Sequence, residues 1–239
     1  MQKPILGALL IAGASLVAQA DGPQNGELIS VDASYVFAPR GFDDNDETVV
    51  VIDGYLPSGC FRLTRPETTV DQETKTISIT PFARFFDIPC IEARIPYSQE
   101  IRLGVLAEGD YEVVVKTSAV SESLSVAEST NAGPDDYLYA PVDAVNVERD
   151  PETGKLTAVL EGRFTDRCME WDEVEVADDG ATVVLLPKMA MRDDDSCGAA
   201  ELPFKKRVDL PETIAEGRHL LHVRSLNGQA VNSLFTKFD

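Results

Sequence analysis

The sequence predicts an all-β protein built as two tandem antiparallel immunoglobulin-like sandwiches, and three observations predict it. Short runs rich in Val, Ile, Thr and Leu recur between Gly, Pro, Asp and Asn along the chain, the pattern of strands joined by turns. No stretch after the N-terminal segment keeps a helical apolar spacing over twelve residues, so helices are not expected. Landmarks of the first half return in the same order in the second half, which is the mark of an internal repeat.

The N-terminal segment is set apart from the fold. Lys3 supplies one positive charge, an apolar stretch runs from Ile5 to Val17, and Ala18-Gln19-Ala20 precedes Asp21. This is the three-part layout of a secretory signal peptide with small residues at the cleavage site. A bilayer-spanning helix needs roughly 18 to 20 apolar residues, more than this stretch offers. Residues 1–20 are therefore expected to be cleaved, leaving a periplasmic or secreted protein with no membrane span.

The repeat shows when the chain is slid along itself. A shift of 108 residues sets Gly54 on Gly162 and Cys60 on Cys168, and a shift of 106 sets Pro81 on Pro187. At 107, Cys90 falls on Cys197, Pro96 on Pro203 and Ile101 on Val208; at 108 again, Ala107-Glu108-Gly109 falls on Ala215-Glu216-Gly217. The expected organisation is one sandwich over 21–130 and a second over 137–239. The join lies in Ser129 to Asp136, a run of small, polar and turn-forming residues.

Strands are expected in the first copy near Glu27 to Phe37, Thr48 to Leu56, Cys60 to Thr64, Lys75 to Thr80, Glu100 to Val105, Asp110 to Thr117 and Glu122 to Ala127. Thr76-Ile77-Ser78-Ile79-Thr80 alternates cleanly, so both Ile side chains share a face. In the second copy strands are expected at Leu156 to Phe164, Asp172 to Val176, Ala181 to Leu186, Arg207 to Leu210, Arg218 to Arg224 and Gln229 to Phe238. About seven strands per hundred residues is the count of an immunoglobulin-like sandwich.

A resemblance points the same way. Ala107-Glu108-Gly109-Asp110-Tyr111-Glu112-Val113-Val114-Val115 resembles the G-x-Y-x-V-x-V penultimate strand of bacterial secreted immunoglobulin-like and fibronectin-like domains. There the Gly makes a turn and the Tyr packs at the corner. The second copy carries His219 in place of the tyrosine. The resemblance implies an architecture and no activity, because this fold hosts many functions.

Four cysteines in an exported chain imply two disulfides, with three connectivities open. The repeat selects Cys60 with Cys90 and Cys168 with Cys197, one pair per copy. The second cysteine of each pair lies in a long segment read as loop, so each bridge is expected to tether a loop to its sandwich. Metal ligation by the thiols is disfavoured, since no C-x-x-C spacing occurs and export favours oxidation.

Charge narrows the partners. The chain holds 21 Lys plus Arg against 41 Asp plus Glu, a net charge of -20, which repels phosphate backbones. Nucleic acid is not expected as a partner. A protein partner is, and the acidic surface favours a basic one or discourages nonspecific adhesion.

The segment Pro81 to Cys90 concentrates Phe82, Phe85 and Phe86 beside Arg84. Aromatic and Arg side chains are enriched at interface hot spots, so these four residues are the expected contact; the competing reading makes the rings part of the core. Metal binding is the alternative class. Calcium would use the runs Asp43 to Glu47 or Asp193 to Asp195, neither of which has the spaced calcium-loop pattern. Copper would use Met189 and Met191, which share a face of an extended chain. His219 and His222, the two histidines, fall on opposite faces of a strand and cannot chelate together.

Signatures of catalysis are few. No G-x-S-x-G, P-loop or dinucleotide fingerprint occurs. The expectation is a non-enzymatic binding or assembly module without cofactor or metal, with an inhibitor of an exported enzyme as a further alternative.

Overall fold

The computed structural model describes residues 26–193 and 195–238; the predicted signal segment 1–20 lies outside the described residues. The first unit comprises β1 (Glu27–Ser30), β2 (Ala33–Phe37), β3 (Phe42–Asp43), β4 (Thr48–Leu56), β5 (Phe61–Leu63), β6 (Glu67–Asp71), β7 (Thr76–Thr80), β8 (Phe82–Phe85), β9 (Ile95–Gly104), β10 (Gly109–Val115) and β11 (Val120–Ala127). The second comprises β12 (Val142–Arg149), β13 (Leu156–Asp166), β14 (Met169–Asp179), β15 (Thr182–Met191), β16 (Ala199–Asp209), β17 (Gly217–Ser225) and β18 (Gln229–Lys237).

Each unit is a β-sandwich carrying one disulfide. In the first, the sheet β2-β4-β9 packs on β3-β11-β10-β7-β6; in the second, β12-β13-β16 packs on β14-β15-β17-β18. Val50, Ile52 and Ile101 from one sheet meet Ile77, Ile79, Tyr111, Val113 and Leu124 from the other to form the first core. Ala158, Leu160, Val183, Leu185, Leu221 and Val223 build the second core in the same two-sided way. The order β6-β7-β10-β11 matches β14-β15-β17-β18, and β2-β4-β9 matches β12-β13-β16. Most pairs are antiparallel, but β7 runs parallel to β10, β3 to β11 and β15 to β17. A small third sheet, β1-β8-β5, extends the first unit.

The strands depart from the sequence expectation in four ways. The run Glu27 to Phe37, which reads as one strand, is two, because the chain leaves one sheet after β1 and enters another at β2. β6 carries a single valine among polar and charged residues, and β12 sets Asp143 and Asn146 among its valines, which hides the apolar alternation of strands at the border of a sheet. β8 lies where the sequence predicts a loop, and its pairing with β1 and β5 comes from residues far away in the chain. β9 and β16 also begin earlier than expected, reaching back through Pro96 and Pro203. Both are edge strands, where a residue without an N–H is tolerated.

Gly54 and Gly162 show why a missing side chain is required. A Cβ on Gly54 would lie 2.8 Å from the Asp32 carbonyl oxygen and 3.0 Å from the Tyr97 ring, and one on Gly162 would collide with the Pro141 carbonyl and the Phe204 ring. The corner residues are likewise matched. The Tyr111 hydroxyl donates to Ala107 O at 2.7 Å, and His219 Nε2 sits 2.8 Å from Ala215 O, again four residues upstream. Histidine thus takes the position of the corner tyrosine and keeps its contact.

The two sandwiches meet along β4 and β17, both of which are buried on two faces. Val50 and Ile52 enter the first core while Val51 faces the second unit, where it packs with Phe37 and Leu220. Leu221 and Val223 enter the second core, while Arg218, His222 and Arg224 reach the first unit. Arg218 pairs with Asp53 at 3.0 Å, Arg224 with Asp46 at 2.7 Å, and Arg40 with Asp179. Asn232 Nδ2 donates to Glu100 Oε2 at 2.7 Å, and its Oδ1 lies 2.8 Å from His222 Nδ1. Burial, first, and the nearby Arg224 push the His222 imidazole down to about 4 against the opposing Asn232 bond. The segment joining the units is docked as well: Asp135 accepts the backbone N–H groups of Asn227 and Gly228 at 2.6 and 2.8 Å.

Candidate functional site

The Cys60–Cys90 and Cys168–Cys197 bridges occupy matching places, with Cα separations of 5.3 and 5.2 Å. Cys60 precedes β5 and Cys90 follows β8, so the first bridge holds the loop after β8 against the small sheet. Backbone bonds reinforce it: Gly59 N donates to Ile91 O at 2.8 Å and Phe86 N to Cys60 O at 3.0 Å.

β8 is the centre of that sheet, and strand alternation divides the expected contact residues between its faces. Ala83 is wholly buried, and Phe85 lies on its side, packed on Phe61 with ring centroids 5.2 Å apart. Phe61 and Leu63 pack in turn against the first core. Phe82 and Arg84 therefore face the other way, outward, where Arg84 is exposed and Phe82 half-buried. Phe86, just past the strand, has its ring close to Gly26. The structure keeps Phe82 and Arg84 together and separates Phe85 from them.

The outer face holds two further residues that sequence reasoning missed. Register places Leu28 of β1 and Arg62 of β5 on either side of Arg84; Leu28 is 51% exposed. Arg62 Nη1 donates to the carbonyls of Gly59 and Phe61 at 2.7 and 2.8 Å, and Arg84 Nη1 to that of Gly26 at 3.0 Å. The face is thus a pair of neighbouring arginines flanked by apolar side chains. A sequence signal for Arg62 existed: it stands two residues after Cys60, where Glu170 stands two after Cys168.

The matching place in the second unit differs. There Glu170 is opposite Ala190, and Arg192 approaches Glu170 at 3.6 Å. Lys188 pairs with Glu175 at 2.8 Å and lies over the Tyr137 ring, and the Glu175 bond, first, raises its pKa. Phe164, Trp171 and Phe204 form a half-buried aromatic group against the core.

Several of the residues considered for metals have other partners. Asp46 is committed to Arg224, Asp43 accepts the Asn45 N–H, and Asp44 accepts the Ser129 N–H. Burial, ahead of every other cause, raises the Asp43 carboxyl. Met189 belongs to the second core while Met191 is exposed. His219 and His222 do lie on opposite faces of β17, one toward its own core and one in the seam. Asp166 lies close to Cys168 and Cys197, but both sulfurs are consumed by the disulfide. In the second acidic run, Asp194 lies outside the described residues.

Comparison with known proteins bears on the first unit alone. Residues 50–126 match the ORF11 beta-sandwich domain. That stretch runs from within β4 to within β11 and includes β5, β8 and the first disulfide. The likeness agrees with the architecture and carries no ligand with it. No curated protein and no solved structure matches the chain.

Proposed function

We propose that this protein is a non-enzymatic, exported binding or assembly module, made of two copies of one sandwich and contacting a protein partner through the outer face of β1-β8-β5. The observation that carries this reading is the outward pairing of Arg62 with Arg84 beside Leu28 and Phe82, aromatic and arginine side chains being the types that anchor protein interfaces. The matching strand orders support a duplicated unit. Two disulfides, with no cysteine left free among the described residues, fit an oxidising compartment, periplasmic or secreted. No helix among the described residues is long and apolar enough to cross a membrane.

The second unit, docked through β17, acts in this reading as the support that holds the first in one orientation. A photo-crosslinking residue placed at Phe82 in the full chain, in its native host, tests the contact. A discrete cross-linked protein from position 82, absent from a control at Phe238, supports the reading. Equal labelling from both positions overturns it.

A further inference from the structure

We propose that the outer face of β1-β8-β5 docks a carboxylate-rich polypeptide segment, gripped by Arg62 and Arg84 and bordered by Leu28 and Phe82. The inference rests on reading this face as the contact surface and adds the chemistry of what it contacts.

Arg62 and Arg84 stand directly opposite each other on adjacent strands. Like charges in that relation destabilise a sheet. Neither forms an ion pair with a carboxylate among the described residues, and their hydrogen bonds go to backbone carbonyls. The chain has 41 acidic side chains, and Arg102, Arg163, Arg192, Arg207, Arg218 and Arg224 each find one. Among the described residues other arginines also show no carboxylate partner, but the strand registers there set no second pair of arginines face to face. Two opposed guanidiniums with no counter-charge among the described residues, in so acidic a protein, are a local exception.

The fold does not require them. The corresponding cross-strand pair of the second unit is Glu170 with Ala190, and that sandwich has the same strand order. A sheet position that accepts Glu and Ala in one unit and two arginines in the other is free to serve recognition. Guanidinium groups present planar forks that match carboxylates two bonds at a time, and each of these has donors beyond the Nη1 bonds to backbone.

The net charge sharpens the choice of partner. A protein at -20 repels polyanions in general, but screening confines that repulsion to about 8 Å at physiological salt. An anionic segment that also covers Leu28 and Phe82 adds apolar burial to its charge contacts and so offsets what repulsion is left. A carboxylate-bearing polypeptide with apolar side chains meets both requirements.

The test uses the full chain and fluorescence anisotropy with a labelled Glu-rich peptide carrying phenylalanines, its Lys-for-Glu counterpart, and vesicles of phosphatidylserine in phosphatidylcholine, beside sedimentation of the chain alone. The expected result is saturable binding of the Glu peptide that weakens with salt. The double change Arg62→Glu with Arg84→Ala, which copies the second unit, should weaken it at least about tenfold, and Arg62→Lys with Arg84→Lys should keep part of the binding. Should the double variant fail to fold, the single Arg62→Ala and Arg84→Ala variants decide in the same way. Unchanged binding in the variants, or no binding of the Glu peptide, overturns the inference. Arginine-dependent binding of the vesicles alone overturns it in favour of a lipid surface, and arginine-dependent self-association alone in favour of a second copy. A cross-linked protein at position 82 together with preference for the Lys peptide rejects the anionic partner while leaving the contact face standing.

Discussion

Arg224 and Asp46, 178 residues apart, close a two-pronged ion pair in the seam between the sandwiches, Nη2 to Oδ1 at 2.7 Å and Nη1 to Oδ2 at 3.0 Å. Both side chains are almost wholly buried. Pro134 O takes a further bond from the same guanidinium at 3.1 Å, so one arginine ties together both units and the segment between them. Removing one partner strands the other charge away from water. Asp46→Asn or Arg224→Met is expected to lower unfolding stability by about 3–5 kcal/mol, whereas replacing both with apolar residues should cost far less. Urea unfolding of the two single variants and the double variant measures the difference; equal losses in all three would contradict an ion pair that needs both halves.

His222 makes the seam sensitive to acid. Its pKa is about 4 in the folded protein against an ordinary 6.5, so the unfolded chain binds a proton between those values while the folded chain does not. Stability therefore rises with pH through this window and is lost as pH falls from 6.5 toward 4. At the lower end the loss attributable to His222 approaches about 3 kcal/mol. His222→Gln should remove that slope. Unfolding curves at successive pH values, with the variant subtracting the contribution of titrating carboxylates, check it; superimposable slopes would place a proton on the native imidazole.

The two bridges close loops of similar length, with sequence separations of 30 and 29. Chain entropy then predicts a loss of about 3–4 kcal/mol when either is replaced by a pair of alanines. The structural consequence should differ. Without Cys60–Cys90 the loop beside the arginine face loses its tether, so that variant should also lose binding of the Glu-rich peptide. Thermal melts and anisotropy on the two paired-alanine variants distinguish these effects.

Phe85 and Phe82, on opposite faces of β8, should respond differently to the same change. Phe85→Ser empties a place against Phe61 at the margin of the core and is expected to cost about 2 kcal/mol of stability. Phe82→Ser should cost distinctly less and instead weaken the contact at the outer face. Denaturant midpoints read beside cross-linking or peptide binding separate the two; a larger stability loss at Phe82 would reverse the assigned faces.

Much of this protein was legible in its residues because burial leaves a period in the sequence. Ile77 and Ile79 alternate with polar neighbours and do share the core face, and the spacing of the cysteines named both bridges. The run Val49-Val50-Val51-Ile52 also carried a signal that alternation does not register: four apolar residues in succession mark a strand covered on both sides, and β4 is covered by its own core and by the second unit. Arg62 was harder to find: its place two residues after Cys60 was visible, but nothing in the order of residues says that it stands across from Arg84.

By itself the sequence determined the all-β class, two sandwiches and the disulfide pairing, since each follows from local periodicity or from spacing along the chain. Only the tertiary structure decided that β8 is a strand, that Phe85 turns inward while Phe82 and Arg84 turn outward, and that Arg62 and Leu28 stand beside them. It also decided the meeting of Arg224 with Asp46. These relations join residues far apart in the chain through cross-strand register and sheet packing, which fix distances between side chains that the order of residues leaves open.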